Sequence, residues 1–243
     1  MASSPEVNTM SRASRSWPDP RDVPNYGPTE AARFLGLPTS TLRSWTRGWS
    51  YRTESGERRR GEPLIELRDP DSNELSFTNL VEAHVLSAIR RHHGVSMPRV
   101  RQALDYIDRH LGTTHPLARQ EFQTDGVDLF VEHLGQLVRA SKDNQVILAG
   151  LLRAHLRRIE RDEQGLARRL FLFTRSEGAD QPPVVVIDPR ISFGRPVLAG
   201  TGIPTEILAG RFNAGESIEE LAEDYSCESS LIQEAIRIES RAA

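Results

Sequence analysis

The chain is short of several residue types, and each shortage excludes something. Cysteine occurs once, at Cys227, so an intramolecular disulfide is impossible and a cysteine-built zinc site has no basis. No apolar run approaches the roughly 18 residues of a membrane-spanning helix. No apolar stretch follows a basic start, as a secretory signal requires. The expectation is a cytoplasmic protein with no membrane partner. A nucleophile elbow, a Walker loop and a glycine-rich dinucleotide fingerprint are all missing. The seven histidines form no ligand spacing; His84 and His155 fall on apolar helix faces, and His92-His93 sit at a helix end. No enzyme, no catalytic residue, no metal and no cofactor is expected. Apolar residues make up only 37% of the 243 positions, below the usual half of a globular domain, so part of the chain is expected to lie outside any core.

What is present is unevenly distributed. Thirteen basic and eleven acidic side chains lie in residues 28–111, whereas residues 184–243 carry five basic and ten acidic ones. Between Thr39 and Arg60 six arginines face two glutamates. This asymmetry suggests a front that faces nucleic acid and an acidic rear.

Residues 1–23 are rich in Ser, Pro, Arg and Asp without an apolar period, which reads as a disordered arm. Pro28-Thr29-Glu30 then opens a helix whose buried side is Ala31, Ala32, Phe34 and Leu35, and Gly36 ends it. A second helix starts at about Thr39, with Leu42 and Trp45 inward and Arg43, Ser44 and Arg47 outward. Two helices joined this tightly form a helix-turn-helix. Residues 64–67 and 75–77 are strand candidates around the turn chemistry of residues 69–73, and together they predict a β-wing. Helices are expected at 79–92 and 98–111. Short strands are expected at 127–131, 136–138 and 146–147, followed by one long amphipathic helix with Leu148, Leu151, Leu152, His155, Leu156 and Ile159 on its apolar stripe. Residues 176–183 read as a linker and 184–187 as a buried strand, which can share a small sheet with the strands of 127–147.

The three prolines and three glycines between Asp188 and Pro204 dictate a series of turns. Helices follow at 205–213, 217–225 and about 228–239, and Ser217 with Glu220 has the spacing of a capping box. The fold class is mainly α with short strands: a winged helix-turn-helix plus a C-terminal three-helix, helix-turn-helix-like module. The expected segments are an arm (1–23), a winged helix-turn-helix (24–111), an α+β connection (112–175), a linker (176–183) and a C-terminal domain (184–243).

The run Gly27-Pro28-Thr29-Glu30-Ala31-Ala32-Arg33-Phe34-Leu35-Gly36-Leu37, continued by Thr39-Ser40-Thr41-Leu42-Arg43-Ser44-Trp45, resembles the start of MerR-type winged helix-turn-helix proteins. The resemblance implies that the second helix enters the major groove and places Arg43 on DNA. The residues agree: Thr39, Ser40, Arg43 and Arg47 lie at the start and outer face of that helix. Arg52, Arg58, Arg59 and Arg60 would add sequence-independent affinity for phosphate. Two positions depart from the family: Ser44 replaces an aromatic residue, and Pro38 replaces the serine cap, so Thr39 is expected to cap instead.

Asp188-Pro189-Arg190, Gly194-Arg195-Pro196, Gly200-Thr201, Ile203-Pro204, Ala214-Gly215 and Asp224-Tyr225 resemble the C-terminal domain of a VapB-type antitoxin family, with Gly202 where that family has arginine. The resemblance implies a type II antitoxin whose partners are a PIN-domain ribonuclease toxin and operator DNA, acting as a homodimer. Between Pro204 and Glu239 nine acidic residues stand against two basic ones, which opposes approach to phosphate. That region is therefore read as a protein-contact module. Arg190, Arg195 and Arg211 are the candidate toxin contacts, because an arginine among the carboxylates of a magnesium-dependent nuclease can replace metal charge. The alternative is a stand-alone MerR-like ligand-responsive regulator with residues 119–175 as its effector region. The break at Gly112-Thr113-Thr114-His115-Pro116 interrupts the long dimer helix that such regulators carry.

Overall fold

A computed structural model of the chain describes residues 19–52, 56–69, 71–91, 95–113, 115–174 and 183–241. The body of the expected arm, the linker and His92-His93 therefore lie outside the described residues. Residues 19–23 do not behave as an arm. Pro20–Asp22 forms a 3-10 turn capped by Asp19, and the Arg21 guanidinium is held between Asp19 and Asp162, each 2.6 Å away. A single arginine with two carboxylate partners anchors a segment whose composition carries no apolar signal.

Helix α1 (Pro28–Leu35) begins with proline at its first turn and ends at Gly36, which adopts φ 62°. Leu37 N–H reaches the Ala32 carbonyl at 2.9 Å and Gly36 N–H the Arg33 carbonyl at 3.2 Å, the paired bonds of a Schellman stop. Helix α2 (Thr39–Arg47) follows after three residues, Gly36, Leu37 and Pro38. Its N-cap is Pro38, with no side-chain cap; Thr39 is already the first helical residue, so the expected threonine cap is not formed.

The wing lies earlier than the sequence suggests. Strands β1 (Trp49–Arg52) and β2 (Arg58–Gly61) form an antiparallel hairpin directly after α2. Residues 64–67, expected as a strand, serve the core instead. Leu64 and Ile65 are buried, and their N–H groups bond to the Trp45 carbonyl at 2.7 and 3.0 Å. Leu75 pairs with Tyr26 in a single bridge. The apolar content of these segments reflects burial, not strand pairing.

Helix α3 (Phe77–Arg91) is the hub. Between Phe77 and Ile89 every residue except Thr78 is buried, as expected of a helix covered on all sides. Helix α4 (Met97–Leu111) ends at Gly112 in the left-handed region. A 3-10 turn (Pro116–Ala118) and a π-helical turn (Phe122–Gly126) lead into α5 (Val127–Val138) and α6 (Lys142–Leu156).

The three strands expected between 127 and 147 are thus helical. Val127, Phe130, Val131 and Leu134 are buried at helical spacing on α5, a period that the β-branched residues obscure. Val146 and Ile147 ride on α6 with 71% and 55% exposure. The long amphipathic helix is α6, but it stops at Leu156, and Ile159 belongs to the next strand.

Strands β3 (Ile159–Arg161), β4 (Ala167–Phe171), β5 (Val185–Ile187) and β6 (Val197–Leu198) form one antiparallel sheet in chain order. The buried strand at 184–187 is present, but its sheet neighbours are β4 and β6 rather than residues 127–147. The C-terminal helices α7 (Thr205–Asn213), α8 (Ile218–Asp224) and α9 (Ser229–Glu239) follow. The Ser217–Glu220 capping box forms in both directions. The molecule is mostly helical with short strands, and its N-terminal part is a winged helix-turn-helix.

Candidate nucleic-acid interface

The outer face of α2 follows from its inner one. Leu42 and Trp45 are buried, which turns Ser40, Arg43 and Arg47 outward, and all three are exposed while Thr39 is half-buried. Positions 40, 43 and 47 share one side of the helix over about 10 Å of axis. Ser44 bonds its own helix, its hydroxyl donating to the Thr41 carbonyl at 2.7 Å.

The wing is locked to this helix by an arginine. Arg60 Nη2 donates to the Arg47 carbonyl at 2.9 Å, satisfying one of the open carbonyls of the last turn and placing positive charge at the negative end of the helix. Gly48 makes the sharp exit from α2 at φ 80°, and a Cβ there would lie 2.1 Å from the Gly61 carbonyl oxygen. Arg58 and Arg60 lie two residues apart on β2, hence on one face of the hairpin, and both are exposed. The side chains of Arg52 and Arg59 lie outside the described residues. The structure therefore brings Ser40, Arg43, Arg47, Arg58 and Arg60 onto adjoining elements. The arginine run flagged the wing's charge, but the position of the hairpin and the Arg60 bond depend on tertiary approach.

The three arginines of the rear lie in different surroundings. Arg190 is exposed, and its backbone N–H bonds the buried carboxylate of Asp188 at 2.9 Å. Arg195 pairs with Glu30 of α1. Burial raises the Glu30 carboxyl above its ordinary value, and Arg195 opposes that rise. Arg211 forks onto Glu216, with Nε to Oε1 at 2.8 Å, reaches Asp224 at 2.5 Å, and lies over the Tyr225 ring. Its guanidinium pKa is raised, first by Glu216 and then by Asp224.

A feature with no signal in composition is Phe193. It is 91% exposed and stands at φ 54° in a turn with Ser192 at φ 47°. This strained conformation is held from the front of the molecule: Asn25 Nδ2 donates to the Phe193 carbonyl at 2.6 Å and Tyr26 Oη to the Gly194 carbonyl at 2.9 Å.

The helix-facing histidines are packed into the interior. His84 and His155 are both buried, with their rings 4.9 Å apart. Cys227 is half-buried. Among the described residues no three His, Cys, Asp or Glu side chains are grouped as a metal ion requires, and no helix is long and apolar enough to cross a membrane.

A helix-turn-helix with an exposed arginine face and an arginine-bearing hairpin pinned beside it defines a winged helix-turn-helix DNA-binding protein. Residues 24–104 match the family described as "Putative DNA-binding HTH domain", and residues 185–237 match "Protein of unknown function (DUF433)". The chain is 31% identical over 230 residues to "Putative antitoxin VapB45" of Mycobacterium tuberculosis, covering 88% of this chain and 93% of that one. It is 26% identical over 219 residues to "Uncharacterized protein Rv2308" of the same organism, covering 87% and 88%. The crystal structure of Rv2018 from that organism superposes with a TM-score of 0.62 at 26% identity, over 88% of this chain and 98% of that one. The chain belongs to the VapB45-like antitoxin family.

Proposed function

We propose that the chain is the antitoxin of a type II pair, that it neutralises a PIN-type ribonuclease toxin by direct binding, and that as a homodimer it represses its own operon. The observation that carries the DNA half is the continuous face of Ser40, Arg43 and Arg47, extended by Arg58 and Arg60 of the wing. In this reading α2 enters the major groove, Arg43 reaches a base edge, and the wing arginines neutralise phosphates. Two-fold pairing of the chain would match the paired half-sites of an operator.

The toxin half rests on family membership and on the acidic rear, where the C-terminal helices carry charge unsuited to nucleic acid. Arg190 and the presented ring of Phe193, three residues apart and both exposed, offer a cation and an aromatic, residue types favoured at protein contacts. Arg195 and Arg211 would have to exchange an internal carboxylate for one of the toxin's. Both partners, a ribonuclease and an operator, place the protein in the cytoplasm.

The test of the DNA half is a mobility-shift titration against the promoter of its own operon at several salt concentrations. Arg43→Ala is expected to weaken binding by about 1–3 kcal/mol and to relax sequence preference. Arg58→Ala should weaken all sequences alike and lower the salt slope by about one. Equal affinity of the wild-type chain for promoter and unrelated DNA would overturn the operator reading. For the toxin half, co-expression with the neighbouring reading frame should relieve its growth arrest. Unchanged rescue by a double alanine variant at Arg190 and Arg195 would remove those two residues from the contact.

A further inference from the structure

Helix α6 turns an unoccupied face outward. It packs on α3 and α5, with Leu148, Leu152, His155 and Leu156 buried. The opposite side of the helix runs through Asp143, Val146, Ile147, Gly150 and Arg157, all of them exposed. Among the described residues Val146 and Ile147 are the most exposed large apolar side chains after Phe193. Leu151, one turn beyond Ile147 and half-buried, widens the stripe. A Cβ at Gly150 would meet nothing within 4 Å, so no described neighbour in the chain requires glycine there.

Single apolar side chains at a surface are ordinary. Here the residue types also work against the helix that carries them. Two β-branched residues and a glycine disfavour helix at positions where packing within the chain returns nothing. A glycine on an open helix face lets a second helix approach closely, and Val146 and Ile147 supply apolar surface for it to cover.

The charges say which helix that is. Asp143 and Arg157 lie seven residues before and seven after Gly150, two turns either way and within about 20° of its line. Arg157 is the C-cap and keeps right-handed helical backbone angles. Neither side chain has an ion-pair partner among the described residues, whereas Arg153 beside them is bound to Asp128 at 2.5 Å. Two copies of the helix that cross antiparallel at Gly150 would set each Asp143 against the Arg157 of the other copy. The face is its own electrostatic complement, as a two-fold contact between identical surfaces requires.

We propose that two copies of this chain pair through α6, antiparallel and centred on Gly150. The inference rests on the homodimer of the proposed function and gives it a surface. It uses no residue of α2 or of the wing, so both DNA-facing sides stay open, and it gives the region between the winged helix-turn-helix and the rear a task.

Sedimentation velocity of the full-length protein without DNA tests the proposal. The wild type is expected to be a dimer. Asp143→Arg or Arg157→Asp alone should weaken it about tenfold or more, because like charges then face each other. The double variant, Asp143→Arg with Arg157→Asp, should return to within about threefold of wild type. Within one chain the two residues are about 20 Å apart, so recovery reports a pairing between chains. In a Cys227→Ser background, Gly150→Cys should form an intermolecular disulfide under mild oxidation, whereas Asp143→Cys, about 20 Å from its counterpart, should not. A dimer unmoved by both single changes, a double variant weaker than either, or a Gly150→Cys variant that stays unlinked would overturn the proposal and leave the homodimer reading standing. A monomeric wild type would overturn both. A dimer that persists in Ile147→Glu while capture of the co-expressed toxin is lost would make this face a toxin contact instead.

Discussion

His115 shows how much a single residue can hold without announcing itself in the sequence. It stands at φ 56°, where asparagine and histidine are tolerated better than most residues. Its ring bonds the buried carboxylate of Glu82 at 3.1 Å. That bond, with the charges of Glu82, Asp22 and Glu66, holds the imidazolium pKa above the ordinary 6.5 although burial opposes it. The folded state therefore binds the proton more tightly than the unfolded chain. The resulting stability is complete below pH 6.5 and is lost as pH rises through the raised folded value. Melting temperature is expected to fall as pH rises above 6.5, and His115→Asn, which suits the backbone angle, should flatten that slope. Parallel slopes for variant and wild type would show that another group sets it. In the sequence His115 reads only as part of a helix-breaking turn, because Glu82 lies thirty-three positions away and nothing local links them. Arg43 and Arg47 were legible for the opposite reason: their exposure follows from Leu42 and Trp45, three apart on the same helix, which fix its buried side.

At the scale of elements, the sequence was readable where local chemistry decides and misleading where burial does. Pro28 and Gly36 bound α1, and Ser217 with Glu220 opens α8; each boundary is set by groups within a few residues. The helix α5 was hidden, because Val127, Val131 and Val138 favour strands locally and only packing on α4 and α6 makes them helical. The wing was displaced for a similar reason. Leu64, Ile65 and Leu75 have the composition of strands but are core plugs, whereas the true strand β2 is three arginines and a glycine. What makes those arginines a strand is Gly61, above which the Trp49 ring packs so closely that a Cβ would fall 2.5 Å from its Cε2, together with the turn at Gly48. Gly48→Ala meets both a positive φ and the Gly61 carbonyl. It should cost about 1–3 kcal/mol, read by urea denaturation. The same variant should weaken DNA binding more than Arg58→Ala does, because α2 and the wing lose their fixed relation. Wild-type stability would mean that the hairpin moves freely against α2.

The whole molecule is tied together across the segments that composition separates. The four-stranded sheet takes β3 and β4 from before residue 175 and β5 and β6 from after residue 184. Arg21 reaches from the first described turn to Asp162. Helix α1 is held from the rear by Arg195 on Glu30 and by Glu239, which pairs with Arg33 while accepting from the Thr205 hydroxyl at 2.6 Å. The charge asymmetry between front and rear was visible in the sequence; these ties were not, because Arg21–Asp162, Glu30–Arg195 and Arg33–Glu239 each join residues more than a hundred positions apart. They have a measurable consequence. Tyr26 is buried, and its hydroxyl donates to the Gly194 carbonyl, the contact that holds the turn presenting Phe193. Tyr26→Phe removes the donor and keeps the ring, so the loss should be about 1–2 kcal/mol, one hydrogen bond plus a carbonyl left without its partner. Because these bonds tie the front to the rear, and the rear shares its sheet with the connecting region, that loss should move one cooperative transition, seen alike by tryptophan fluorescence and by far-ultraviolet circular dichroism. Two separated transitions, with only the front one shifted, would show instead that the winged helix-turn-helix folds without its rear.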